Sequence, residues 1–227
     1  MNTEQQTKTW ADHYRDRVGN RDYRNAFEEK YFRFIDEIIF QTKCLRTNSD
    51  TPLVLKEEGC GIGSVVRCIS EREEYFLKHL GVRYSELEDR NEIEKICMAD
   101  ADKEMLSLCM DNTRNLYLGE YLAGKPIFYS SENILKPKFF EPNTIVVTHG
   151  VLEHFRNSGI EKIISTYNDD NVVFQAHYVP TDKYGTPSFG DERLLSVQEW
   201  VTLVQPDYYI VDNGGCDLYM FSFSKGK

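Results

Sequence analysis

From residue 51 onward the chain alternates short apolar strands with helical segments, and this alternation constrains the fold more than any other feature. Strands are expected at 53–57, 94–99, 126–130, 144–148 and 171–176, with two more at 208–212 and 217–223. Helical periodicity lies between them, clearest over 103–112 and 153–165. At Ser196, a Ser-Val-Gln-Glu capping box with Glu199 opens a further helix whose inner face is Trp200, Leu203 and Val204. Strand–helix alternation implies parallel strands, right-handed crossovers and helices on both faces. The last two strands break the rule. Only Asn213-Gly214-Gly215-Cys216 separates them, which is hairpin chemistry and makes one of them antiparallel. The expected fold class is therefore α/β, with a seven-stranded sheet, mostly parallel, that ends in a C-terminal antiparallel hairpin.

Residues 1–50 read differently and are expected to form an N-terminal helical cap on a sheet domain spanning 51–227. Phe27, Tyr31, Phe34, Ile35, Ile38 and Ile39 form one apolar stripe at helical period. Ahead of it, Trp10, Tyr14 and Tyr23 lie among charges. Two readings stand: an amphipathic helix packed on the domain, or a lid whose aromatics cover a ligand. The charged segment 71–92 makes the first crossover unusually long and reads as an insertion at the sheet edge.

Composition narrows the function classes. The 227 residues carry 27 Lys+Arg against 37 Asp+Glu, a net charge of −10, which disfavours a general nucleic-acid binder. With 41% hydrophobic and 13% aromatic residues, the chain is far from a disordered composition. No apolar window is long enough to cross a membrane, and the polar N-terminus lacks a signal-peptide core, so a cytoplasmic protein is expected. Cysteines at 44, 60, 68, 97, 109 and 216 show neither zinc-ligand spacing nor a disulfide framework, and no metal is expected.

The sharpest local signal is Leu53-Val54-Leu55-Lys56-Glu57-Glu58-Gly59-Cys60-Gly61-Ile62-Gly63-Ser64, a strand running into a glycine-rich turn that opens a helix. Such a turn lets a ligand approach the backbone and meet helix N–H groups. No Gly-Lys-Ser/Thr follows, which excludes a phosphate loop, and Ser64 stands where a dinucleotide fingerprint has its third glycine.

Glu57-Glu58-Gly59-Cys60-Gly61-Ile62-Gly63 resembles motif I of class I S-adenosylmethionine-dependent methyltransferases. Met98-Ala99-Asp100-Ala101-Asp102 resembles that family's acidic second-strand end. Thr148-His149-Gly150-Val151-Leu152-Glu153-His154-Phe155 resembles its motif after the fourth strand. The resemblance covers about residues 50–223 and implies a Rossmann-like sheet, S-adenosylmethionine as cofactor and methyl transfer as the reaction. It also implies that Glu57, Gly59, Cys60, Gly61 and Gly63 surround the methionine part. Asp100 then holds the ribose, and Ala101 flanks the adenine. After the third strand, Ser131 occupies the usual acid's place, with Glu132 as its substitute. Glu86 competes with Asp100 at a shorter interval, and His149 borders the methyl-transfer site.

A sulfonium methyl is already activated, so the protein's main task is to hold a nucleophile in line with it. An oxygen or nitrogen nucleophile also calls for a base, for which His149 and His154 are the candidates, with Tyr178 as a third catalytic side chain. Glu153 and His154 are expected to start a helix, where Glu153 favours the N-terminal dipole. The long 177–193 loop is expected to bind the acceptor through His177, Tyr184 and Arg193, the last as a clamp for a carboxylate. The expected partner is a small-molecule acceptor, without nucleic acid or membrane, on a monomer or homodimer. Two alternatives remain: a non-catalytic cofactor-binding scaffold, favoured by the missing acid at Ser131, and a nicotinamide-dependent oxidoreductase, disfavoured by the glycine spacing.

Overall fold

A computed structural model describes residues 9–47, 52–70, 93–114, 125–136, 138–187 and 191–224. The 71–92 insertion and Glu86 lie outside the described residues, as do 188–190 of the long loop. The strands are β1 (Leu53–Glu58), β2 (Ile93–Asp100), β3 (Ile127–Ser131), β4 (Thr144–His149), β5 (Val172–Pro180), β6 (Tyr208–Asp212) and β7 (Asp217–Phe223). They form one sheet in the order β3-β2-β1-β4-β5-β7-β6. β1 pairs in parallel with β2 and β4, as do β2 with β3 and β4 with β5, while β7 runs antiparallel to both β5 and β6. Every residue of β1 is buried, as a central strand covered on both faces requires. The strand order reverses between β1 and β4, and the crevice beyond their carboxyl ends is where open α/β sheets take ligands.

The helices are α1 (Trp10–Tyr14), α2 (Arg21–Thr47), α3 (64–70), α4 (Lys103–Arg114), α5 (Asn157–Tyr167) and α6 (Val197–Val204). Period-two alternation along the strands divides the core between the two faces. Ile145, Val147, Tyr219 and Phe221 face the cluster that holds the α2 stripe, Val65, Val66 and Ile69 of α3, and Cys109 of α4. Val146, Leu218 and Met220 face Ile160, Ile163 and Tyr167 of α5 and Trp200 of α6. Trp200 is fully buried, donates its indole N–H to the Pro180 carbonyl at 3.0 Å, and follows the Ser196–Glu199 capping box.

Two expectations on boundaries need correction. β5 runs to Pro180, past the expected 176, because Tyr178 and Val179 pair with Tyr219 and Leu218 of β7. The helix expected over 153–165 starts only at Asn157. Leu152–His154 form a separate 3-10 turn, and Phe155 is extended at φ −111°, ψ 152°. Arg193 holds this break open: its N–H donates to the Glu153 carbonyl at 2.9 Å and its guanidinium to the Phe155 carbonyl at 2.8 Å. Glu153 therefore does not sit on the N-terminal dipole of α5.

Candidate functional site

A cavity of about 630 Å³ opens at the carboxyl ends of β1, β2 and β4. Its first wall is the glycine-rich turn. Gly59, Gly61 and Gly63 have φ of 65°, 54° and 71°, in the left-handed region that side chains avoid. Two of the three are also sterically obligatory. A Cβ on Gly59 would lie 2.6 Å from Val151 Cγ2, and one on Gly63 would lie 2.9 Å from both Cys109 Sγ and Thr113 Cγ2. Around Gly61 the nearest atom would be Met105 Cε at 3.6 Å, so the backbone there is open towards the cavity.

Asp100 closes the turn. Its carboxylate accepts from Gly61 N–H at 3.1 Å and from Asp102 N–H at 2.9 Å, and it lines the cavity. Burial pushes its carboxyl up against these two donors. Asp102 caps α4, accepting from Glu104 N–H at 2.8 Å and Met105 N–H at 3.3 Å. Glu57 is buried beneath the turn, with one contact to Val66 N–H at 3.4 Å. Burial first, with the Asp100 charge added, raises its carboxyl to about 8.

Glu132 borders the same cavity, and lysines hold it in place. Lys56 Nζ lies 2.9 Å away, Lys138 Nζ 3.4 Å away, and Ser130 donates a short bond. Burial works to raise its carboxyl, but the Ser130 and Lys56 contacts prevail and hold it at about 2. Ser131 is exposed and is absent from the cavity lining.

The floor is aromatic. The His149 ring lies between Tyr31 and Tyr178, with both centroids 4.4 Å away, and Phe27 at 5.0 Å. Its Nε2 has no hydrogen-bond partner among the described residues. Burial, then the Lys30 charge, pulls its imidazole down to about 3, so the ring is neutral at working pH. Tyr178 donates to Asp217 at 3.0 Å, and burial keeps its hydroxyl protonated far beyond the usual range.

The second wall comes from α1, the 3-10 turn and the loop that returns to α6. Trp10 and Tyr14 stack with centroids 6.1 Å apart, and Trp10 meets the His154 ring edge-on at 5.2 Å. Ala11 anchors α1 against Ile62, Met105 and Leu108, so this helix packs directly over the glycine-rich turn. Tyr184 lines this side and carries Lys30 Nζ 4.8 Å above its ring. His154 Nδ1 lies 3.2 Å from Asp191 Oδ1.

Of the residues singled out from sequence, Glu57, Gly59, Cys60, Gly61, Asp100, Ala101, Glu132, His149, His154, Tyr178 and Tyr184 meet at this cavity. Gly63 supports the turn from behind. His177 and Arg193 are elsewhere, contrary to their expected place beside the acceptor. Strand alternation puts His177 on the face opposite Tyr178, where it stacks on Tyr167 and bonds Thr148 at 2.8 Å. The Arg193 guanidinium is engaged by Phe155 and Asn157. Glu153, by contrast, lines the cavity although its sequence position looks like a helix start. Among the described residues no group of three or more His, Cys, Asp or Glu side chains is placed to hold a metal ion, and no helix is long and apolar enough to cross a membrane.

No family model and no curated protein matches the sequence. Solved structures do match. An S-adenosylmethionine-dependent methyltransferase from Clostridium acetobutylicum ATCC 824 superposes with a TM-score of 0.60 at 10% identity, over 87% of this chain and 93% of that one. Magnesium protoporphyrin IX methyltransferase from Synechocystis PCC 6803, solved with bound S-adenosylmethionine, gives 0.56 at 9% identity, over 99% and 100%. An O-methyltransferase family protein from Burkholderia thailandensis gives 0.53 at 12% identity, over 94% of this chain and 64% of that longer one. The fold is that of class I methyltransferases.

Proposed function

We propose that this protein is an enzyme that moves a methyl group from S-adenosylmethionine to an oxygen or nitrogen atom of a small molecule. One observation carries the reading. The Gly59–Gly63 turn is folded around Asp100, whose carboxylate faces a cavity at the switch point of the sheet. The cofactor fits these residues by charge and by space. The open backbone at Gly61 admits close approach. Asp100 is an acceptor for two ribose hydroxyls, and Glu57 is a buried carboxylate in want of a cation, which the methionine ammonium provides. Glu132, fixed by two lysines and Ser130, is the acceptor for an adenine amine.

The bound cofactor supplies a sulfonium methyl that needs no further activation. The chain's own residues bind, orient and exclude water. Phe27, Tyr31 and Tyr178 surround the reacting end with low-dielectric surface, where charges act strongly. His149, held neutral, offers Nε2 as a hydrogen-bond acceptor for the incoming nucleophile. In this reading α1 is a lid, since Trp10 and Tyr14 line the cavity, while the α2 stripe beyond Tyr31 belongs to the core.

Calorimetric titration with S-adenosylmethionine, S-adenosylhomocysteine and NAD tests the reading. Micromolar binding of the adenosyl pair with no heat from NAD is expected. Silence from both adenosyl ligands would remove the cofactor assignment and favour a scaffold of the same fold.

A further inference from the structure

One cavity group has no task in the cofactor's binding. Glu153 is 3% exposed, lines the cavity, and its Oε2 has no hydrogen-bond partner among the described residues. A buried carboxylate left in this state is costly unless a ligand completes it. Asp191 and Glu192 border the same wall, and their charges act on Glu153 in the same direction as its burial, raising its carboxyl to about 8. The cations that reach the cavity already have partners. The Arg17 guanidinium lies over the Tyr14 and Tyr23 rings at 5.0 and 5.2 Å. Lys30 lies over the Tyr31 and Tyr184 rings and 3.8 Å from Asp217. On the same wall are the stacked rings of Trp10 and Tyr14.

We infer that this wall is an acceptor subsite for a small molecule bearing an ammonium group on an apolar body, with the ammonium on Glu153 and the body against Trp10 and Tyr14. The inference deepens the methyl-transfer reading and rests on it, narrowing the nucleophile to an amine nitrogen. The ammonium would pass one proton to the buried Glu153 carboxylate, and the freed lone pair would take the methyl as its bond to sulfur breaks, with S-adenosylhomocysteine as the leaving product. Three features select this ligand class. An anionic acceptor would meet the acids Asp191 and Glu192 and the buried Glu153, with Arg193 turned away to Phe155 and Asn157. A neutral acceptor would leave Glu153 in its protonated form, with only a neutral hydrogen bond to offer. An ammonium satisfies the carboxylate, and aromatic faces attract the same charge.

The test uses the full chain and three probes of one shape: phenethylamine, 2-phenylethanol and 3-phenylpropionate. Each is titrated calorimetrically with and without saturating S-adenosylhomocysteine, and by the fluorescence of Trp10. Trp200, the second tryptophan, is buried on the other face of the sheet and serves as a constant background. Phenethylamine is expected to bind at least about tenfold more tightly than the alcohol, with the propionate weakest. Glu153→Gln should abolish this preference while leaving affinity for the alcohol and for S-adenosylhomocysteine within about twofold. Should that variant fail to fold, the exposed-side double variant Asp191→Asn/Glu192→Gln should still cut the preference by about threefold. Equal affinity for amine and alcohol, or a preference that survives both variants, overturns the subsite. The cofactor titration keeps the two readings apart. Normal S-adenosylhomocysteine binding without amine preference sinks the subsite alone, whereas no S-adenosylhomocysteine heat sinks the methyl-transfer reading.

Discussion

The two walls of the cavity are built in opposite ways. The wall of β1, the glycine-rich turn and β2 is built from β1 and the turn that directly follows it, with β2 beside them, and its backbone is locked by steric exclusion at Gly59 and Gly63. The wall facing it gathers the Leu152–His154 turn, the loop before α6 and, from more than a hundred residues away, α1. Its side chains are held by ring contacts and by Arg193, 38 residues from the Phe155 carbonyl it grips. The first wall is sterically locked at its turn, and in the proposed reading it takes the cofactor. The second is assembled at a distance, so its chemistry can change without disturbing the sheet.

Substitutions can break this contrast, beginning with the largest effect. Gly63→Val is expected to abolish cooperative thermal unfolding and adenosyl binding together, because its side chain has no room between Cys109 and Thr113. Gly185→Ala, at φ 90° with no atom within 4 Å, should cost only the backbone strain of about 1–2 kcal/mol. If both melt alike, steric exclusion is not what holds the first wall. Asp100→Ala should weaken S-adenosylhomocysteine binding by about a hundredfold, the loss of two charge-assisted hydrogen bonds. Unchanged affinity would take Asp100 out of the ribose site.

Titration separates the walls next. Glu57 and Glu153 have folded values near 8, well above an unfolded carboxyl, so the folded chain holds protons there that the unfolded chain has released. Their contribution to stability is present in acid and is lost as pH rises from about 4.5 to 8. His149 and His177, with folded values near 3, act oppositely, and stability falls as pH drops below about 6.5. The melting temperature should therefore peak on the acid side of neutrality. Glu57→Gln and Glu153→Gln should each flatten the alkaline limb, and saturating S-adenosylmethionine should do so only through Glu57. The smallest effect is expected from Arg193→Ala, which should cost about 1–2 kcal/mol in chemical denaturation and leave adenosyl affinity unchanged.

The same division governs what could be read from the sequence. The strands, the reversal at the hairpin and the Ser196 cap follow from local periodicity and turn chemistry, and the glycine-rich turn and Asp100 stand beside their strands. The break at Phe155 had no local sign, because the residue that enforces it is Arg193. Glu153 was misplaced for the same reason: a glutamate after an apolar pair looks like a helix start until a distant guanidinium ends the turn early. His177 was within reach. Once Tyr178 is assigned to the cavity, the two-residue period of a strand turns His177 the other way.

The sheet order also bears on how the molecule is made. β7 is the last of the described strands to leave the ribosome, yet it sits between β5 and β6 and supplies Tyr219 and Phe221 to pack against Phe34 of α2. Until residues 217–223 emerge, β5 presents an unpaired edge and β6 has no neighbour to join. Phe34 of α2, the helix whose Phe27 and Tyr31 line the cavity floor, gains its contacts with Tyr219 and Phe221 in the same event. Assembly of the ligand cavity thus awaits residues 217–223, and a nascent chain stalled before Asp217 is expected to be a chaperone client with an exposed strand edge rather than a smaller working enzyme.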